Sequence, residues 1–178
     1  MPSSHPELLH PLVSIMSQAN PKTMLDVGCG YGKFGFLARE YLGLWTDGNG
    51  DKHKLETVDA IEAHEAYIGP LQREVYDTIM IGNICTLCDN IGDYDLILMV
   101  EVLEHLGAES GQRVLGVLKE RAKALVVTTP KVVKDQGAEF GNDYEIHRSQ
   151  WEPKDFAKAN CTELIDDKNL SHYIALWY

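Results

Sequence analysis

The sequence predicts a doubly wound α/β fold, a mainly parallel sheet with helices on both faces. Three observations predict it. Short apolar runs alternate with helical patterns along most of the chain, a glycine-rich turn joins the first run to a helix, and the last two runs are separated only by a short turn. Strands linked through helices lie parallel in such a sheet, whereas two strands joined by a tight turn pair antiparallel.

Taken in order, Leu8, Leu9, Leu12, Val13 and Met16 recur at helical spacing, so residues 1–20 predict an N-terminal helix stopped by Asn20-Pro21. Residues 23–27 form a short strand ended by Gly28 and Gly30. Residues 32–42 carry Phe34, Leu37, Ala38 and Tyr41 on one helical face. Asp47-Gly-Asn-Gly-Asp51 has turn chemistry and predicts a loop. A second strand at 55–61 is followed by helical texture broken near Gly69-Pro70. Residues 77–81 predict a third strand. The run at 94–100 is nearly all apolar, as a strand covered on both faces should be. A helix at 112–122, with Val114, Leu115 and Leu118 together, leads to a fifth strand at 124–128. Pro153 opens a helix at 153–159, and strands at 162–166 and 172–177 flank a turn at Lys168-Asn169.

The 178 residues fit one domain spanning the whole chain, with 44% apolar and 24% charged residues as in globular proteins. No apolar run reaches the roughly 18 residues that cross a bilayer, and the first residues lack the basic and apolar regions of a signal peptide. The expectation is a cytoplasmic protein without membrane contact. A net charge of −11 disfavours a bare nucleic-acid partner. Cys29, Cys85, Cys88 and Cys161 are too few and too scattered for a disulfide scaffold and are read as reduced thiols.

The densest signal is Leu25-Asp-Val-Gly28-Cys-Gly30-Tyr-Gly32-Lys-Phe-Gly35, a strand running through glycines into a helix. Glycines there permit positive φ and let a ligand approach the backbone. A dinucleotide fingerprint would need a glycine where Lys33 stands, and no Gly-Lys-Ser/Thr follows at P-loop spacing.

This turn resembles the first motif of class I S-adenosylmethionine-dependent methyltransferases, and the resemblance runs in register over roughly residues 24–178. It implies a seven-stranded sheet of order 3-2-1-4-5-7-6 with strand 7 antiparallel. It also implies S-adenosylmethionine as cofactor, with Gly28 and Gly30 under its methionine part and Asp26 as the acid before them. Glu62 falls where a terminal acid of the second strand holds the ribose hydroxyls, and a carboxylate can accept from both. Asn83, in Gly82-Asn83, falls beside the adenine where the family more often has Asp. Val100 and Glu101 end the fourth strand beside the sulfonium.

Glu101-Val-Leu-Glu104-His105 follows that strand. A first helical turn would put residues 101, 104 and 105 on one face. Two carboxylates and an imidazole suit a divalent cation, or a general base for an acceptor hydroxyl, or simply a helix N-terminus that favours acids. The segment resembles that of ubiquinone-type O-methyltransferases. It is also similar to the metal-binding Glu-x-x-Glu-His of small-RNA 3′-end 2′-O-methyltransferases, in which a later His-x-x-x-Trp completes the site. His147-Arg-Ser-Gln-Trp151 has that spacing. Catalytic candidates are therefore Glu104, His105 and His147, and metal candidates are these three with Glu101. Met-Val-Glu-Val at 99–102 lacks the Asn/Asp-Pro-Pro-Tyr of base methyltransferases.

Thr128-Thr129-Pro130 closes the fifth strand, residues 131–150 predict a loop over the acceptor, and Tyr144 and Trp151 are pocket or core aromatics. His5, His10, His53, His64 and His172 show no grouping in the sequence. The expected activity is methyl transfer to a small-molecule oxygen. Metal-dependent RNA 2′-O-methylation is the alternative, and an inactive cofactor-binding partner subunit is a third reading of another class.

Overall fold

The structure, a computed structural model, describes residues 3–44 and 55–178; the loop expected at 47–51 and His53 lie outside the described residues. The elements are α1 (Leu9–Ala19), β1 (Thr23–Val27), α2 (Lys33–Leu44), β2 (Thr57–Glu62), α3 (Pro70–Val75), β3 (Thr78–Ile81), α4 (Ile84–Leu87), β4 (Tyr94–Val100), α5 (Ala108–Arg121), β5 (Ala122–Pro130), α6 (Pro153–Lys158), β6 (Glu163–Ile165) and β7 (His172–Trp177). The strands form one sheet in the order β3-β2-β1-β4-β5-β7-β6. Strands β1 to β5 run parallel, and β7 is antiparallel to both β5 and β6, as the closing hairpin predicts.

Side chains alternate across a strand, so a doubly covered sheet makes two cores from one set of strands. Leu25, Val27, Ile97, Met99, Leu125 and Val127 pack on one face with Val114, Leu115 and Leu118 of α5 and Phe156 of α6. Met24, Leu96, Leu98 and Val126 pack on the other with Leu12 and Met16 of α1 and Phe34, Ala38 and Leu42 of α2. Helix α1 stops at Asn20, whose left-handed φ of 43° lets its N–H bond the Met16 carbonyl.

Helix α5 begins at Ala108, four residues before the expected start, because its first turn (Ala-Glu-Ser-Gly) carries no apolar period. Gly111 in that turn makes room for the Trp151 indole, which an added Cβ would meet at 2.5 Å. The four-residue α4 was not expected, since one turn is too short to show a period. Strands β1 and β4 are neighbours although β2 and β3 intervene in sequence, so the strand order reverses between them. Ligands of such sheets bind at the carboxyl ends there.

Candidate active site

The turn after β1 holds Gly28, Gly30 and Gly32 at φ of 73°, 51° and 81°. The Gly28 N–H donates to the Ile61 carbonyl at 2.8 Å and the Gly30 N–H to Glu62 Oε2 at 2.9 Å. Glu62 is buried, its Oε1 accepts the His64 N–H at 2.8 Å, and burial still raises its pKa. Each oxygen thus shapes the turn and keeps lone pairs for a diol. A Cβ on Gly28 would fall 2.3 Å from Val102 Cγ2 at a φ that side chains rarely adopt. Gly28→Ala is expected to destabilise the protein by at least about 1–3 kcal/mol from backbone strain alone. An unchanged melting temperature would contradict this.

Asp26 departs from its expected role. It shares the strand face of Met24, is 2% exposed, and its Oδ2 accepts the Tyr76 hydroxyl at 2.5 Å. Tyr76 in turn accepts the Gly35 N–H at 3.2 Å, and burial pushes Asp26 up to about 6. The alternation that places Val27 on the opposite face turns Asp26 into the core beneath α2, where it braces the turn from below. Asn83 does line the cavity, and its Oδ1 also caps α4 by accepting the Cys85 N–H at 2.9 Å.

Glu101 lines the cavity too, but it does not share a face with Glu104 and His105. It has φ of 53° and is followed by one 3-10 turn, Leu103–His105, instead of an α-helical start. Its Oε1 accepts from His172 Nε2 at 2.6 Å and its Oε2 from the His5 N–H at 2.8 Å. The other nitrogen of His172, Nδ1, donates to Glu7 Oε1 at 2.8 Å. Two carboxylates on one imidazole raise its pKa against the effect of burial, and the Ser171 and His172 bonds lower Glu7 to about 2. This grouping of His5, Glu7 and His172 was not visible in the sequence. It depends on β7 running antiparallel, which brings the first residue of β7 to the carboxyl edge, opposite Pro130.

Glu104, His105 and His147 converge, with one ligand atom from each within 4.8 Å of the others. The imidazole centroids of His105 and His147 are 4.9 Å apart. The loop after β5 is docked by Arg148 and Ser149, whose N–H groups donate to the Glu104 carbonyl at 2.8 and 3.1 Å. His105 Nδ1 faces the Ile146 carbonyl at 3.3 Å and His147 Nδ1 the Lys134 carbonyl at 2.6 Å. A carbonyl only accepts, so both Nδ1 atoms carry the proton when the rings are neutral, and both Nε2 atoms present a lone pair. Glu104 is 1% exposed, and burial pushes it up to about 8. Among the described residues its Oε2 has no partner of hydrogen-bonding geometry, nor does the neighbouring Thr129 Oγ1. Burial, then the neighbouring His147, hold His105 below the usual imidazole range.

Gly28, Gly30, Glu62, Asn83, Glu101, Glu104, His105 and His147 line one cavity of about 910 Å³, whose walls include Ser4, Lys33, Tyr67, Phe140 and Tyr144; Asp26, Glu7 and His172 lie behind its wall. Its size suits a nucleoside-containing ligand together with a second reactant. Residues 136–148 of the expected loop form one side, tied across by the Tyr67 hydroxyl to Glu145 Oε1 at 3.0 Å. Trp151 is instead a core residue, 2% exposed and packed on Phe156.

No family model matches the chain, and no curated protein matches its sequence. Solved structures do match. An O-methyltransferase family protein from Burkholderia thailandensis aligns at TM-score 0.60 and 14% identity over 95% of this chain, which spans only 55% of that longer one. The methyltransferase domain of bacterial CtHen1 aligns at TM-score 0.62 and 20% identity over 96% of both chains. Magnesium protoporphyrin IX methyltransferase from Synechocystis, solved with bound S-adenosylmethionine, aligns at 0.60 and 15% over 96% of this chain and 77% of that one. The fold is that of class I S-adenosylmethionine-dependent methyltransferases. In that fold the cavity lies where the strand order reverses, and no helix among the described residues is long and apolar enough to cross a membrane.

Proposed function

We propose that the protein transfers the methyl group of S-adenosylmethionine to a hydroxyl oxygen of an acceptor. The observation that carries this reading is the convergence of Glu104, His105 and His147 on the same cavity as the glycine turn and Glu62. In this reaction the acceptor oxygen forms a bond to the methyl carbon as the carbon–sulfur bond breaks. The sulfonium leaves as a neutral thioether, and the hydroxyl proton must go to a base. A neutral imidazole with Nε2 unprotonated is such a base, and the depressed pKa of His105 keeps it in that form. The rest of the work is positioning and exclusion of water.

The same three side chains suit a divalent cation. The donor set is one carboxylate and two imidazoles, each imidazole fixed by its outer nitrogen on a backbone carbonyl, as metal-bound histidines are. A buried carboxylate oxygen without a partner is what a cation would satisfy. Nitrogen donors favour a transition metal over magnesium. Such a cation would supply positive charge to lower the pKa of an acceptor hydroxyl.

A small-molecule acceptor agrees with the net charge of −11. The second reading is metal-dependent RNA 2′-O-methylation. The Glu-His pair and His147 at one site support it, as does the match to the CtHen1 domain over 96% of both chains. Labelled cofactor, offered with hydroxylated small molecules and with RNA bearing a 3′-terminal 2′-hydroxyl, with and without manganese or cobalt, tests both. Cofactor binding without transfer to any acceptor would favour an inactive partner subunit. Glu62→Ala is expected to weaken S-adenosylhomocysteine about tenfold or more, the effect of losing hydrogen bonds to a charged group. An unchanged dissociation constant by calorimetry would remove Glu62 from the ribose site.

A further inference from the structure

Lys33 is the first residue of α2, immediately past the glycine turn, and its ammonium lines the cavity. Nζ donates to the Ser4 carbonyl at 2.9 Å and to Ser4 Oγ at 2.8 Å. An ammonium has three donors, so one remains. Among the described residues no carboxylate lies within ion-pair distance of Lys33, whereas Lys123, Lys131, Lys154 and Lys158 each have one. The side chain is half-buried, and desolvation lowers its pKa, partly offset by the charge of Glu101. The charges around it are mostly of the other sign. Glu62, Glu101, Glu104, Glu139 and Glu145 line the cavity, and its other permanent cation, Arg148, is engaged with the Asp143 carbonyl.

Ser4 is held firmly in place. Beyond it, the His5 N–H is bonded to Glu101. Glu7 Oε1 accepts from the Ser171 N–H and Oγ, each at 2.7 Å, and from His172 Nδ1. These bonds tie the segment before α1 to the ends of β4 and β7. A desolvated cation without an anion among the described residues, in a fixed wall and beside a turn shaped for a ligand, is costly unless a ligand anion completes it.

We propose that Lys33 binds the α-carboxylate of the amino-acid part of the cofactor, against the wall formed by Ser3 and Ser4. The assignment rests on the cofactor reading above and names a contact within it. Glu101, whose charge reaches Lys33, leaves an acid on the same side for the ammonium of the zwitterion.

Calorimetry with three ligands tests this: S-adenosylhomocysteine, its analogue without the carboxylate (5′-(3-aminopropylthio)-5′-deoxyadenosine), and 5′-methylthioadenosine. The wild-type chain is expected to bind the first about tenfold or more tighter than the second, as for a charge-assisted hydrogen bond. Lys33→Met is expected to erase that difference while leaving 5′-methylthioadenosine affinity within about twofold. Equal affinity of the wild-type chain for the first two ligands would overturn the proposal without any variant. So would a Lys33→Met chain that weakens all three alike, because Lys33 would then only fasten Ser4. If none of the three binds the wild-type chain, the cofactor reading falls and takes this assignment with it.

Discussion

Replacing His147 with alanine is expected to lower methyl transfer by about a hundredfold or more while changing cofactor affinity by less than about twofold. The reason is the position of its ring. His147 stands on the loop after β5, its Nδ1 fixed on the Lys134 carbonyl, and faces His105 across 4.9 Å between ring centroids. It makes no hydrogen bond to the glycine turn or to Glu62 among the described residues. Removing an outer partner of a metal-bound histidine typically costs about 10–100-fold, so removing one of the three proposed ligands should cost at least the upper end. His147 is half-buried and belongs to neither core cluster, so the variant should keep its melting temperature. A folded His147→Ala chain that retains transfer within about tenfold of wild type would break the shared site. His105 would then stand alone as the base. Titration with manganese or cobalt adds a second readout, since a lost ligand raises the metal concentration needed for half-maximal rate.

The parts of this molecule that were legible in its sequence are those set by neighbours along the chain. The strands at 23–27, 94–100 and 172–177 were readable to the residue because an apolar run bounded by turn residues declares itself locally. The glycine turn, Glu62, Asn83 and the Glu104–His105 pair were readable because each follows directly from a strand end. What failed required three-dimensional information. Asp26 was expected at the cofactor, yet strand parity sends it to Tyr76. Glu101 was grouped with Glu104 on an assumed helix, and the left-handed backbone at 101 separates them. His172 and Glu7, 165 residues apart, meet only because β7 is antiparallel. In sequence Lys33 was merely the residue that spoils a dinucleotide fingerprint. That no described carboxylate pairs with it appears only once the cavity walls are assembled around it.

If the proposed cation site is real, the pH dependence of metal binding follows from Glu104. Burial is the first cause of its raised pKa, and the nearby charge of Glu101 adds to it, so the carboxyl titrates at about 8 instead of 4.5. Its raised folded-state value means that the neutral form is favoured by folding. That contribution is complete below about 4.5 and is lost as pH rises through about 8. A cation needs the carboxylate, so binding must expel this proton. His105 does not need to lose a proton at neutral pH in the same way, because it is held below the usual imidazole range and presents Nε2 as a lone pair. With one proton released, apparent affinity for manganese or cobalt should rise about tenfold per pH unit below 8 and level off above it. Between pH 6 and 8 the gain should be roughly fiftyfold. Calorimetry in buffers of different ionisation enthalpy should also count close to one proton released per cation at pH 7. Glu104→Gln removes the titrating group while keeping its shape. This variant should bind the cation weakly, with an affinity that no longer changes between pH 7 and 8.5. A metal affinity in the wild-type chain that is flat from pH 6 to 8 would mean that Glu104 is not a ligand, whatever its distance from the histidines.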